Sequence, residues 1–310
     1  MTRFRGQGFA VGAMLLLFVC LLLGMGVARL ARPPAGMAHA LNWWVLYVAL
    51  PAIVLELIPK LHFQRALWFP VAASWLVFLG AWAGFAAVGR WRGWPRARIG
   101  TLVLVCGLGN TSFMGYPLVQ ALQGREGLKL AVVADQLGTF PILASMAIVV
   151  ASLYAGRQPR AQHVLRRIFS FPAFLALLLG VLVGRLGGWP PLVDRVLSPI
   201  GATLTPLALF SVGLQFHLGG VRGHAGTITG GLGWKLAVAP LLCWGMGTLL
   251  GVHGLVLTVG VLEAAMAPMI SAAILVGEYD LDADLANGVL GIGIVLSLFT
   301  VPLANALMAG

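Results

Sequence analysis

A chain of 310 residues in which 60% are hydrophobic and only 9% are Asp, Glu, Lys or Arg, with a mean hydropathy of +0.95, cannot persist as a soluble domain. The net charge of +11 comes from 20 Lys and Arg against 9 Asp and Glu. Those basic residues are scattered through short connections with no soluble aromatic or glycine-rich module, which excludes nucleic acid as a partner. No ten-residue alternating strand pattern occurs, so a spanning barrel is excluded as well.

What remains is an all-α polytopic membrane protein. A span needs roughly 20 apolar residues, and ten are read in chain order, at about 9–28, 40–58, 66–89, 99–122, 128–155, 168–187, 192–216, 230–251, 254–277 and 283–308. The first carries Arg3 and Arg5 before it and Ala38-His39-Ala40 after it, in the manner of a secretory signal. Its apolar run of about 20 residues exceeds the usual signal core of roughly 7 to 15, so it is read as a span. With the N-terminus outside, the inward connections hold Arg29, Arg32, Arg90, Arg92, Arg96, Arg98, Arg157, Arg160, Arg166, Arg167 and Arg222. The opposite side holds Arg3, Arg5, Lys60, Arg65, Arg125, Lys129, Arg185 and Arg195, a smaller set, and the positive-inside rule therefore puts both termini outside.

In span 2, Glu56 lies four residues before Lys60, a spacing that suits an interfacial helical pair. Span 4 contains Cys106 to Pro117, CGLGNTSFMGYP, whose glycines, proline and polar side chains predict a broken helix with the gap near Gly115. A break in hydrocarbon leaves backbone groups without partners unless it faces protein or a polar cavity. Amides at a half-helix start carry partial positive charge, and Asn110 and Thr111 beside them suit an anion. The structural alternative is that both side chains only tie neighbouring helices together. Span 5 adds Asp135 and Gln136, six and five residues before Pro141.

Lys235 lies about a turn and a half into span 8, close enough to its end to snorkel to the interface; the other roles open to it are holding an anion or neutralising Glu263 or Asp135. In span 9, Glu263 precedes small residues and Pro268, repeating the logic of span 4. A carboxylate at that depth costs on the order of 3 kcal/mol, so it is paired, protonated or facing water. Asp135, Glu263 and Lys235 are therefore the coupling candidates. The acids from Glu278 to Asp284 are read as a solvated turn. The cysteines Cys20, Cys106 and Cys243 and the six histidines have no metal-ligand spacing, and neither a metal nor another cofactor is expected.

Prolines recur at matched places: Pro51 and Pro206, Pro117 and Pro268, Pro141 and Pro302. The spacing suggests a duplication, with residues 1–155 as a first five-helix repeat, 156–167 as a basic cytoplasmic linker and 168–310 as the second repeat. Five spans per repeat make the second one inverted. Inverted repeats with interrupted helices in corresponding positions point to a secondary transporter with its site at the midplane.

The segments GNTSFMGYP (109–117), DQLGTFP (135–141), TPLALFSVGL (205–214), KLAVAPLL (235–242) and VLEAAMAPMISAAIL (261–275) resemble the auxin efflux carrier family in its bacterial branch, which includes malonate-type carriers and is akin to PIN-type exporters and, more broadly, to bile acid sodium symporters. The resemblance covers most of the chain. It implies ten helices in two inverted five-helix repeats, with helices 4 and 9 broken and crossing at Pro117 and Pro268. It further implies Asn110 as a substrate contact, Gln136 as a neighbour of the site, and a multi-pass location in a bacterial-type inner membrane. Ser112 stands where many members have a second Gly, and Pro268 lacks a following Pro. The long central loop of plant exporters is absent, which argues against auxin itself.

The expected function is alternating-access transport of a small organic anion, coupled to a proton or another ion or driven by potential, within lipid and with a homodimer left open. The alternatives are a sodium-coupled symporter of the bile-acid type and a carrier-like sensor that binds without transport. An intramembrane protease is the enzymatic rival, but Tyr279-Asp280 is not accompanied by GxGD, and neither HExxH nor GxSxG occurs.

Overall fold

The computed structural model describes residues 2–31, 33–61, 64–158, 170–216, 219 and 223–308. Residues 159–167 of the expected linker, with Arg32 and Arg222 of the inward set, lie outside the described residues. Among the described residues all regular elements are helical. Helix α1 spans Thr2–Leu30; α2 (Met37–Trp44) runs through a π-helical turn, Val45–Ala49, into α3 (Leu50–Leu57). Then come α4 (Trp68–Trp91), α5 (Arg96–Gly107), a π turn at Thr111–Gly115 and α6 (Tyr116–Val133). A third π turn, Ala134–Thr139, leads into α7 (Phe140–Ala144) and α8 (Met146–Tyr154).

The second half contains α9 (Pro172–Arg185), α10 (Pro191–Ala202), α11 (Leu204–Leu214) and α12 (Ala225–Gly233). The π turn Trp234–Val238 joins α12 to α13 (Ala239–Leu249), and α14 (Gly254–Ala264), α15 (Ile270–Glu278) and α16 (Ala283–Met308) follow. Six continuous helical runs, 37–60, 65–91, 111–154, 191–214, 225–249 and 283–308, are long and apolar enough to cross a membrane, and 14–30, 172–185 and 254–264 are shorter apolar helices. The 44-residue run 111–154 would be about 66 Å long if straight, twice a hydrocarbon core of about 30 Å. Gly124, at φ 67° and ψ −162°, breaks it.

Every π turn ends two residues before a proline: Pro51, Pro117, Pro141 and Pro240. A proline inside a helix donates no N–H and its ring crowds the carbonyl four residues earlier. Widening the preceding turn by one residue relieves that crowding and keeps the helix continuous, and such turns concentrate at functional sites. Pro199 and Pro302 sit inside helices without one, so proline is not by itself sufficient.

By packing, the chain forms two compact units, and each takes segments from both halves of the sequence. The first comprises Met1–Gln64, Ser112–Val132 and Phe169–Phe216; the second comprises Arg65–Thr111, Val133–Ile168 and His217–Gly310. Within the first, α1 lies along α11, and α3 packs on α9 and α10. The approach of α1 and α11 is closest at Gly24 and Gly213, where an added Cβ would stand 2.2 Å from the Phe210 carbonyl oxygen and 2.3 Å from that of Leu21 respectively. Small residues are what allow two membrane helices to come this near. Gly213→Leu should lower the stability of the purified protein by about 1–3 kcal/mol, read as a fall in thermal midpoint in detergent; an unchanged midpoint would contradict the contact.

Glu56 is indeed ion-paired, but its partner is Arg125, not Lys60. Pro59 ends the α-helical geometry in a 3₁₀ turn, Ile58–Lys60, so the four-residue spacing no longer aligns the two side chains. Lys60 pairs instead with Asp194 at 2.9 Å. In the second unit α4 packs on α5, on α14 and on the π turn 134–139, over a core that includes Phe78, Leu102, Val105, Ile142, Leu232 and Val289.

Candidate functional site

The site lies within the second unit. Helix α5 is buried from Ile99 to its end, and its last turn gives way to an extended Leu108 (φ −107°, ψ 127°). Helix α14 stops at Ala264, and the chain resumes as α15 after an extended Met269 (φ −81°, ψ 128°). These two gaps meet. Gly109 and Pro268 form an antiparallel bridge, the Asn110 N–H donating to the Ala267 carbonyl at 2.8 Å and the Met269 N–H to the Leu108 carbonyl at 3.2 Å. Groups stranded by one broken helix are thus satisfied by the other, as hydrocarbon requires. Proline, with no N–H to place, fits the middle of that bridge.

The break in this segment therefore falls at 108–110 and not near Gly115. Gly115 closes the π turn that follows, and Pro117 lies in the first turn of α6. The residue opposite Pro268 is Gly109, which sequence reading did not single out. A Cβ there would stand 3.0 Å from Lys235 Nζ and 3.3 Å from the Glu263 carbonyl oxygen, so any larger residue would crowd the crossing and press on the lysine head group.

Polar side chains gather around the bridge. The Thr111 hydroxyl donates to Asp135 Oδ1, and Gln136 Nε2 donates to Asp135 Oδ2 at 2.9 Å. Asp135 and Gln136 are presented by the π turn before Pro141, and both are buried, as are Asn110 and Thr111. Lys235 comes from the π turn before Pro240. It is 1% exposed, so it does not snorkel; its Nζ donates to the Ala264 carbonyl at 3.0 Å. Ala264 ends α14, and a helix C-terminus carries about half a negative charge. The ammonium is therefore spent on the end of the broken helix.

Glu263 is 3% exposed, and neither carboxylate oxygen has a hydrogen-bond partner among the described residues. It lies within coulombic reach of both Lys235 and Asp135. With Ser74, Thr111, Thr139 and Lys235 it lines a cavity of about 10 Å³, the size of roughly one water molecule. Ser74 and Thr139 were also missed; their hydroxyls stand 3.5 Å apart where Gly138 lets the two segments touch. No group of three or more His, Cys, Asp or Glu side chains that could hold a metal occurs among the described residues.

Two broken segments bonded across their gaps, with buried acids and a lysine around them, form a polar station in an apolar chain. The sequence matches the family described as membrane transport protein across residues 9–304. The chain belongs to that family, the auxin efflux carrier family. An uncharacterized transporter of Methanothermobacter thermautotrophicus is 28% identical over 273 residues, 87% of this chain and 89% of its own length. A Rhizobium meliloti protein described as a "Putative malonate transporter" is 25% identical over 301 residues, 94% and 93% of the two chains. Family membership together with its apolar helices makes it a multi-pass membrane transport protein. Within this family member the second unit holds Asn110, Thr111, Asp135, Gln136, Lys235, Glu263 and Pro268, whereas Gly115 and Pro117 belong to the first.

Proposed function

We propose that this membrane transport protein is a secondary active carrier of a small organic anion, working by alternating access and coupled to a proton. The observation that carries this reading is the pairing of the two helix breaks at Gly109 and Pro268 with an ionisable cluster directly beside them. Asn110 and the second amide N–H of Gln136 would supply neutral donors to the anion, Thr111 would hold Asp135 beside it, and the half-helix starting at Thr111 would add its amide dipoles. The malonate name of the Rhizobium meliloti relative favours a small dicarboxylate.

Charge arithmetic supports the coupling. With all three groups ionised, Asp135 and Glu263 contribute −2 and Lys235 +1, leaving −1 beside the site. An anion entering a low-dielectric region next to a net negative charge is opposed. One proton on Glu263 brings the cluster to zero, so anion and proton bind more favourably together than the anion alone. We further take the protein to have ten spans in two inverted five-helix repeats, with both termini outside a bacterial-type inner membrane.

Counterflow of labelled malonate in proteoliposomes tests the carrier reading, and Asn110→Ala tests the site. Removing a hydrogen-bonding group to a charged ligand costs roughly 1.5–3 kcal/mol, so the variant should lose about tenfold or more in initial rate at low substrate. Binding without counterflow would make the protein a sensor. A variant as fast as the parent would remove Asn110 from the site.

A further inference from the structure

We infer that the second unit carries a binding groove for one anionic phospholipid, its phosphate at Arg92 and one acyl chain between α4 and α12. The groove encloses about 470 Å³, within the range of 300–1,000 Å³ typical of ligand sites. Along α4 and its C-terminal cap the wall is Ala81, Gly84, Phe85, Val88 and Arg92, spaced at three- and four-residue intervals and so on one helical face. On the other side the wall is largely glycine, at Gly226, Gly230 and Gly233, and a Cβ added at any of these would meet nothing within 4 Å. Those glycines are exposed, so the groove opens outward. Phe85 and Trp234 meet edge to face, ring centroids 6.5 Å apart, at its inner end.

Length and charge select the occupant. From Ala81 to Arg92 the wall rises through eleven residues, about 16 Å, which is close to one leaflet of a hydrocarbon core about 30 Å thick. The far end is cationic and aromatic: Arg92 lies over the Trp91 ring at 5.7 Å, and Trp94 lines the rim. Arg98 pairs with Asp282 and Arg96 donates to the Leu153 carbonyl, whereas Arg92, the arginine that lines the groove, makes no ion pair among the described residues. An apolar slot one leaflet deep, ending at an arginine beside interfacial tryptophans, fits an acyl chain below a phosphate that has no positive charge of its own to satisfy it. Phosphatidylglycerol meets that description; phosphatidylcholine carries an internal choline cation. The inner end of the groove is Trp234, the residue before Lys235, so lipid occupancy borders the π turn that holds the ammonium.

Native mass spectrometry of the full-length protein, loaded with an equimolar mixture of phosphatidylglycerol and phosphatidylcholine, tests this. The parent should retain one phosphatidylglycerol severalfold over phosphatidylcholine. Arg92→Gln, an exposed position, should abolish the preference, and Gly230→Leu, whose side chain would occupy the slot, should lower retention of both lipids. Circular dichroism and a monodisperse elution profile establish that each variant is folded; where Gly230→Leu is not, Gly226→Val replaces it. Equal retention of the two lipids by the parent, or a preference that survives Arg92→Gln, would overturn the assignment.

Discussion

Lys235→Met should destabilise the purified carrier by on the order of 3 kcal/mol, and adding Glu263→Gln to it should restore more than half of that loss. The single substitution removes the donor to the Ala264 carbonyl and leaves Asp135 and Glu263 as two carboxylates facing each other without a cation. Neutralising Glu263 removes that repulsion while the lost cap on α14 remains, which is why recovery should be large but incomplete. Thermal unfolding of the four members of the cycle in one detergent measures the coupling directly. Additive losses would mean that Lys235 serves only as a helix cap and has no electrostatic role at the crossover.

Composition alone sufficed for the membrane class, and glycine and proline were enough to flag both interruptions. Their positions were harder to read. The gap at 108–110 depends on a crossing segment some 160 residues away that supplies the Ala267 carbonyl and the Met269 N–H, and no local propensity encodes that partner. Proline attracted attention to Gly115–Pro117, but there the chain absorbs the proline in a π turn and stays helical.

Lys235 was misjudged for a related reason. With the span read from residue 230 it stands near an end, yet α12 begins at Ala225, which puts Lys235 ten residues in, about 15 Å and half the depth of the core. Of the five residues in question, Ala225, Gly226, Thr227 and Thr229 are small or polar, and Ile228 alone does not raise a hydropathy signal. Asp135, Gln136 and Glu263 were legible because polar groups in apolar runs stand out. Their mutual placement was not, since it follows from two π turns and a bridge that bring spans 4, 5, 8 and 9 together.

That placement also explains why π turns matter here. Asp135, Gln136 and Lys235 each sit in a turn widened ahead of a proline, and Thr111 opens another. A widened turn displaces side chains from the regular helical stripe and loosens the ladder locally, so polar groups can converge without ending the helix. The prolines that suggested a duplicated chain thus have a second consequence, in where the ionisable groups point.

Glu263→Gln should abolish accumulation of malonate driven by a pH gradient while leaving malonate counterflow at zero gradient. Glutamine keeps the shape of the protonated acid and fixes the cluster at Asp135 −1 and Lys235 +1, a sum of zero, so the anion no longer needs a proton to enter. With membrane potential clamped, each coupled proton can support roughly tenfold accumulation per pH unit, because one unit is worth about 1.4 kcal/mol. In the variant that ratio should fall to one. Counterflow distinguishes loss of coupling from loss of the site, since exchange requires binding and reorientation but no net proton movement. A variant that still accumulates substrate with the parent's dependence on the gradient would move the coupling role away from Glu263, leaving Asp135, held by Thr111 and Gln136, as the group to be neutralised next.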